Sequence, residues 1–198
     1  MCISFASSEL AKVVDYQMRI AQAYTYSIHA SESATPLAKA MKQFKNKEWR
    51  NQNFSNLKIE SLGKVEFHSF YKSPNYHFDL YSDIVSSSLN SPMAVETWRK
   101  NPGHPLDSAC TKKATRVENI NTIKVSFVNS NEVGSFDYKD DHSKWAITEA
   151  MSSLDTVCIG DINRVESQFK RGGGTTCFKN PSVWKSFDKY IGGTDKCH

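Results

Sequence analysis

The segment "DDHSKWAITEA", residues 140–150, sets His142 and Lys144 two positions apart. In an extended segment, residues so spaced project to the same face. An imidazole and an ammonium aimed at one ligand suit a phosphodiester. The histidine can attack phosphorus or protonate the leaving oxygen. The lysine can neutralise the non-bridging oxygens as charge builds on them. A lone His-x-Lys also arises as a surface accident, so the pair needs company. "VCIGDINR" supplies Asn163, three residues after Gly160. Its neutral amide could donate to the same phosphate, and Gly160 would let backbone approach closely. A plain strand-to-turn Gly-Asp is the alternative. "KRGGGTTC" puts Lys170 and Arg171 ahead of Gly172, Gly173 and Gly174. A nest of backbone N–H groups for phosphate is one reading; a flexible loop is the other.

Several elements must position these groups. "SKWAI" and "TVCIGDI" read as two strands flanking a loop. "TIKVSFV" (122–128) alternates cleanly as a strand, and "KVEFHSF" (64–70) and "MAVETW" are further strand candidates. Leu10, Val13, Val14 and Met18 recur at helical spacing behind Ser7 and Ser8, which could cap a helix. Pro36 opens a second helix with Leu37, Ala40, Met41 and Phe44 on one face. "FDLYSDIVSSSL" is a third helix candidate, and Pro181 opens a closing helix, "PSVWKSFDKYI". "NPGHPLDSAC" is turn-rich and "RGGGTT" reads as an irregular loop. The mixture predicts an α/β or α+β layered domain.

The 198 residues are enough for one domain, with no repeat or linker to divide 1–198. Hydrophobic residues make up 39% and charged residues 23%, which argues against disorder. No apolar run approaches the ~20 residues that span a bilayer, so no membrane partner is expected. No signal peptide is visible at the start of the chain. The net charge of +4 mildly favours a polyanion. Lys42, Lys45, Lys47 and Arg50, with Phe44 and Trp49 interleaved, could line a DNA groove or form a solvated helix face. None of the five cysteines forms C-x-x-C, which argues against a zinc site of common spacing. The sequon Asn53-Phe54-Ser55 is a glycosylation candidate and fits a secretory setting. Trp145 reads as core packing, and His68 and His77 carry no assigned role.

Taken together and in order, H-x-K followed by G-x-x-N resembles the phospholipase D superfamily. The aspartate that the superfamily carries soon after the lysine has no clear counterpart: Glu149 and Asp155 lie five and eleven residues beyond Lys144. More closely, "DHSKW…CIGDINR…QFKRGGGTTC…WKSF" resembles the carboxy-terminal half of deoxyribonuclease II. "MCISF", "FHSFYKS…DLYS", "TW" and "SAC" follow in family order, so the resemblance covers essentially the whole chain. It implies a phospholipase D-like α/β layer, one lobe of a two-lobed pseudo-dimer. It implies cofactor- and metal-independent cleavage of DNA at acid pH, leaving 3′-phosphate and 5′-hydroxyl ends, in a secreted or lysosomal protein. Two H-x-K elements share one site. One histidine becomes transiently phosphorylated, and His142 would protonate the departing 5′-oxygen. Lys144 would clamp the phosphate, Asn163 would donate to it, and Arg171 with Gly172–Gly174 could bind substrate.

The chain holds one H-x-K only. Two positions beyond His29, His68, His77 and His104 stand Ser31, Phe70, Asp79 and Leu106, and His198 is the last residue. The amino-terminal half of the family, with the first H-x-K, has no counterpart here. The family pattern further implies the disulfides Cys110–Cys197 and Cys158–Cys177, leaving Cys2 unpaired. The second half-site would come from another polypeptide, from a homodimer, or from a stretch of the same gene product upstream of Met1. The reading from a different class is a catalytically inactive, nuclease-derived DNA-binding or secreted effector protein.

Overall fold

The computed structural model describes residues 3–29, 35–100, 102–126 and 132–197. Cys2 and the last two positions of "TIKVSFV" lie outside them. The chain opens with α1 (Ser7–Val13), a π-helical turn (Val14–Met18) and α2 (Arg19–Ala21). Ser7 and Ser8 do not cap it. Ala6 holds the cap position without a side-chain bond, and both serines are inside the helix. Burial of Ala11, Val14, Ile20 and Ala21 fixes the helix instead. α3 (Pro36–Lys45) follows the sequence signals: the Thr35 hydroxyl accepts from the Ala38 N–H at 3.2 Å, Pro36 fills the first turn, and Ala40 and Phe44 are buried.

Next come β1 (Phe54–Glu60) and β2 (Glu66–Lys72), then a π-helical turn (Leu80–Val85) leading into α4 (Ser86–Leu89). The Asp79 carboxylate starts that turn by accepting from the N–H groups of Tyr81 and Ser82. β3 (Met93–Glu96), β4 (Val117–Ser126), β5 (Val133–Asp137), β6 (Trp145–Thr148), β7 (Thr156–Gly160) and β8 (Gly173–Lys179) follow. α5 (Pro181–Tyr190), capped by Asn180, runs directly into β9 (Ile191–Asp195).

Two compact units account for the chain: Met1–Phe78 with Phe169–Phe178, and Asp79–Gln168 with Lys179–His198. In the first, β2 pairs antiparallel with β1 and with β8. The "RGGGTT" segment is therefore not an irregular loop, because Gly173 and Gly174 open β8. A Cβ on Gly174 would stand 2.1 Å from the carbonyl oxygen of Phe70, and one on Gly172 would stand 1.9 Å from that of Ala21. Only glycine permits these backbone approaches. Lys72 is fully buried, and its ammonium donates to the carbonyls of Tyr76 (3.2 Å), Phe169 (2.9 Å) and Arg171 (2.7 Å). These bonds offset the cost of desolvating the charge and tie the segment before β8 to β2. Phe44 sits in a core cluster with Val14 and Ala40, with Trp49 packed against it. Neither ring is a free stacking platform.

In the second unit the strand order is β7-β6-β3-β4-β5, with β9 also on β4. β3 and β4 run parallel and the other pairs antiparallel, so the sheet is mixed. Met93, Val95, Ile120, Ile147 and Val157 fill its interior. α5 covers β6: the Trp145 and Phe187 rings lie 4.9 Å apart edge-to-face, and Trp184 Nε1 donates to the Thr148 carbonyl at 2.7 Å. Trp145 is thus core, as its position suggested. A disulfide joins Cys110 to Cys197 with Cα atoms 5.3 Å apart, and Cys158 and Cys177 are also disulfide-bonded. The architecture is α/β with a mixed sheet and a few helices.

Candidate active site

The His142 loop is shaped by short-range bonds. The Asp137 carboxylate caps a 3₁₀ turn (Tyr138–Asp140) through the Lys139 N–H at 2.8 Å. Asp141 then accepts from both the Ser143 N–H (2.8 Å) and the Ser143 hydroxyl (2.6 Å). This turn delivers the chain into β6 with His142 exposed at the strand mouth. The imidazole lies over Trp98, ring centroids 4.2 Å apart and planes tilted by 30°. Trp98 is itself held by its indole N–H, which donates to the Lys139 carbonyl at 2.8 Å. Lys144 directs its ammonium back to the His142 carbonyl at 2.5 Å, so the cation stays beside the imidazole-bearing residue.

β7 runs beside the entry to β6. The N–H of Gly160, at the end of β7, donates to the Lys144 carbonyl at 2.9 Å. Three residues on, Asn163 is buried, and its Oδ1 has no hydrogen-bond partner among the described residues. Arg164 anchors this loop. Its backbone N–H donates to the Thr97 hydroxyl (3.1 Å), its Nε to Asp79 (3.0 Å), and its remaining nitrogens to the Asn119 side chain and the Asp107 carbonyl. An arginine 2% exposed with this many acceptors is a fixed strut. The backbone segments bearing His142, Lys144 and Asn163 thus meet at one end of the second unit's sheet. Arg171 and Gly172–Gly174 belong to the first unit, where Gly172 and Gly174 serve the packing just described and the Arg171 carbonyl accepts from Lys72. Asn53 is exposed just before β1.

Sequence reasoning missed Glu96. It ends β3 in register with Trp145, is fully buried, and both carboxyl oxygens are without a hydrogen-bond partner among the described residues. Burial pushes its carboxyl up to about 8, and the nearby Asp141 and Asp137 push the same way against Arg99 and Lys144. The carboxyl is therefore neutral at acid and neutral pH. An ionised glutamate here would place a negative charge near Lys144, whereas the neutral carboxyl does not. The one available signal was an acidic residue closing an otherwise apolar tetrad, "MAVE", one residue from Trp98 in the "TW" that aligned with the family order.

Residues 1–197 match the family model described as deoxyribonuclease II. The chain belongs to the deoxyribonuclease II family. It is similar to "Deoxyribonuclease-2" of Caenorhabditis elegans, 32% identical over 94% of this chain and 48% of that protein. It is similar to "Cell death-related nuclease 6" of the same organism, 31% identical over 100% of this chain and 53% of the relative. "Plancitoxin-1" of Acanthaster planci is 35% identical over 75% of this chain and 38% of its own length. The chain spans about half the length of the curated relatives it matches.

Proposed function

We propose that the chain provides one half-site of a metal-independent acid endonuclease that cuts DNA to 3′-phosphate and 5′-hydroxyl ends. The observation that carries the proposal is the His142–Lys144 pair at the mouth of β6 in a chain of this family. In the proposed step, a histidine of a second H-x-K attacks phosphorus, and the bond to the 5′-oxygen breaks. His142 gives its proton to that oxygen, then accepts a proton from the water that hydrolyses the phosphohistidine. Lys144 holds the non-bridging oxygens, and Asn163 donates an amide N–H to them. Arg171 and Gly172–Gly174 remain candidate substrate contacts. The second H-x-K would come from another lobe or a homodimer in a phospholipase D-like arrangement, in a secreted or lysosomal setting.

The test is plasmid nicking at mildly acid pH in excess EDTA, wild type beside His142→Ala, with the hydrodynamic mass of the active species. Nicking lost in the variant and confined to an oligomer is the expected result. Nicking by a monomer would remove the half-site argument, and an absolute need for magnesium would remove the mechanism. The single H-x-K also supports a second reading, a DNA-binding protein without turnover. Saturable, steeply salt-dependent binding with no cutting would favour that reading.

A further inference from the structure

The first unit contains a concavity of about 530 Å³ between α1 and α3, away from the His142 loop in sequence and lined wholly by that unit's own residues. Lys12, Asp15, Arg19, Lys39, Gln43 and Arg50 supply its polar wall, with Ala11, Pro36 and Ala40 as apolar floor. Asp15 pairs with both arginines, and Glu9, just outside the wall, pairs with Lys12 at 2.6 Å. Among the described residues, four cations against two carboxylates leave a local surplus of two positive charges.

The two guanidiniums are held in place. Arg19 is 8% exposed; its guanidinium donates to the Glu48 carbonyl at 2.7 Å and to Gln43 at 3.0 Å as well as to Asp15. Arg50 lies over the Tyr16 ring, 4.2 Å from its centroid, and its Nε has no acceptor among the described residues. Burial alone would raise the Asp15 carboxyl, but hydrogen bonds from Arg50 and Arg19 outweigh it and hold the group low, so the carboxylate stays ionised. It aligns the guanidiniums without cancelling Lys39, which is exposed at the rim. Lys42, Lys45 and Lys47, the basic stretch evident in the sequence, do not line the hollow.

We propose that this hollow is an anion site that seats a backbone phosphate of the polynucleotide, a second contact remote in sequence from the H-x-K residues. The assignment of the anion to a polynucleotide rests on the nuclease reading; the anion site does not. A phosphodiester matches prearranged guanidiniums with a mobile ammonium at the rim, and the apolar floor suits a sugar face.

The experiment has two arms, both on the full chain with Lys39→Ala and Lys42→Ala. The two variants remove the same charge from the same helix, but only Lys39 lines the hollow. In the first arm, inorganic phosphate is titrated against chloride at equal ionic strength and thermal stability is read. A rise for wild type and Lys42→Ala but not Lys39→Ala is expected. In the second, anisotropy of a labelled duplex is followed against salt at acid pH in EDTA. Lys39→Ala is expected to lower the log–log salt slope by about 1, about tenfold in affinity at about 0.1 M salt, with Lys42→Ala near wild type. Equal losses in both variants, or no phosphate effect, would overturn the site while leaving His142-dependent cutting intact. Phosphate binding that depends on Lys39, without any duplex binding by wild type, would overturn the polynucleotide assignment and count against the nuclease reading itself.

Discussion

Replacing Glu96 with Gln tests whether the buried carboxyl is protonated in the folded state. The ordinary value of 4.5 rises to about 8 in the fold, and each pH decade between them is worth about 1.4 kcal/mol. The ceiling is therefore about 5 kcal/mol, reduced where the pocket relaxes or admits water. The sign follows from proton counts. Between pH 4.5 and 8 the folded state keeps a proton that the unfolded state has lost, so stability falls as pH rises. The contribution is whole below the unfolded value and gone above the folded one. Glutamine does not titrate. Its extra N–H₂ group, if unpaired, costs about 1–3 kcal/mol, but equally at every pH. Urea unfolding midpoints at half-unit steps from pH 4 to 8.5, with wild type and Glu96→Gln in parallel, give the difference directly. The variant should gain on wild type by at least about 2 kcal/mol across the range, within the ceiling set by the shift. Two parallel curves would refute the argument, because they would mean that Glu96 titrates alike in both states.

Three further outcomes are expected. Arg164→Met leaves Asp79 buried without its cation and should cost about 3–5 kcal/mol in urea unfolding. Removing the Cys110–Cys197 disulfide by paired serine substitution frees a closure of 87 residues in sequence, an expected loss of about 4–5 kcal/mol by the same assay. Gly174→Ala must push β8 away from the Phe70 carbonyl, so thermal melting should show a loss of about 3 kcal/mol or more, while an unchanged melt would show that β2 and β8 can separate cheaply.

The amphipathic helices were legible because their signals are local. Pro36 and Pro181 stand at first-turn positions behind Thr35 and Asn180, which cap the two helices. The strand that follows His142 was legible too, since its Trp145, Ala146 and Ile147 form a short apolar run. The glycine run misled because glycine marks both loops and places where backbones touch, and only the neighbouring chain at Ala21 and Phe70 decides between them. Lys72 and Arg164 were illegible for a related reason. A charged residue in a sequence reads as exposed, and its burial depends on acceptors that arrive from distant segments, as Phe169 and Arg171 do for Lys72.

The bond between Cys110 and Cys197 encloses His142, Lys144 and Asn163 within one covalent ring. In a protease-rich setting this changes what a cut means. A single break anywhere between the two cysteines opens the ring but releases no fragment, since both new ends stay attached through the sulfurs. Nicked molecules would run as one band without reductant and as two with it. Damage that would sever an open chain here leaves a protein whose strands can stay paired.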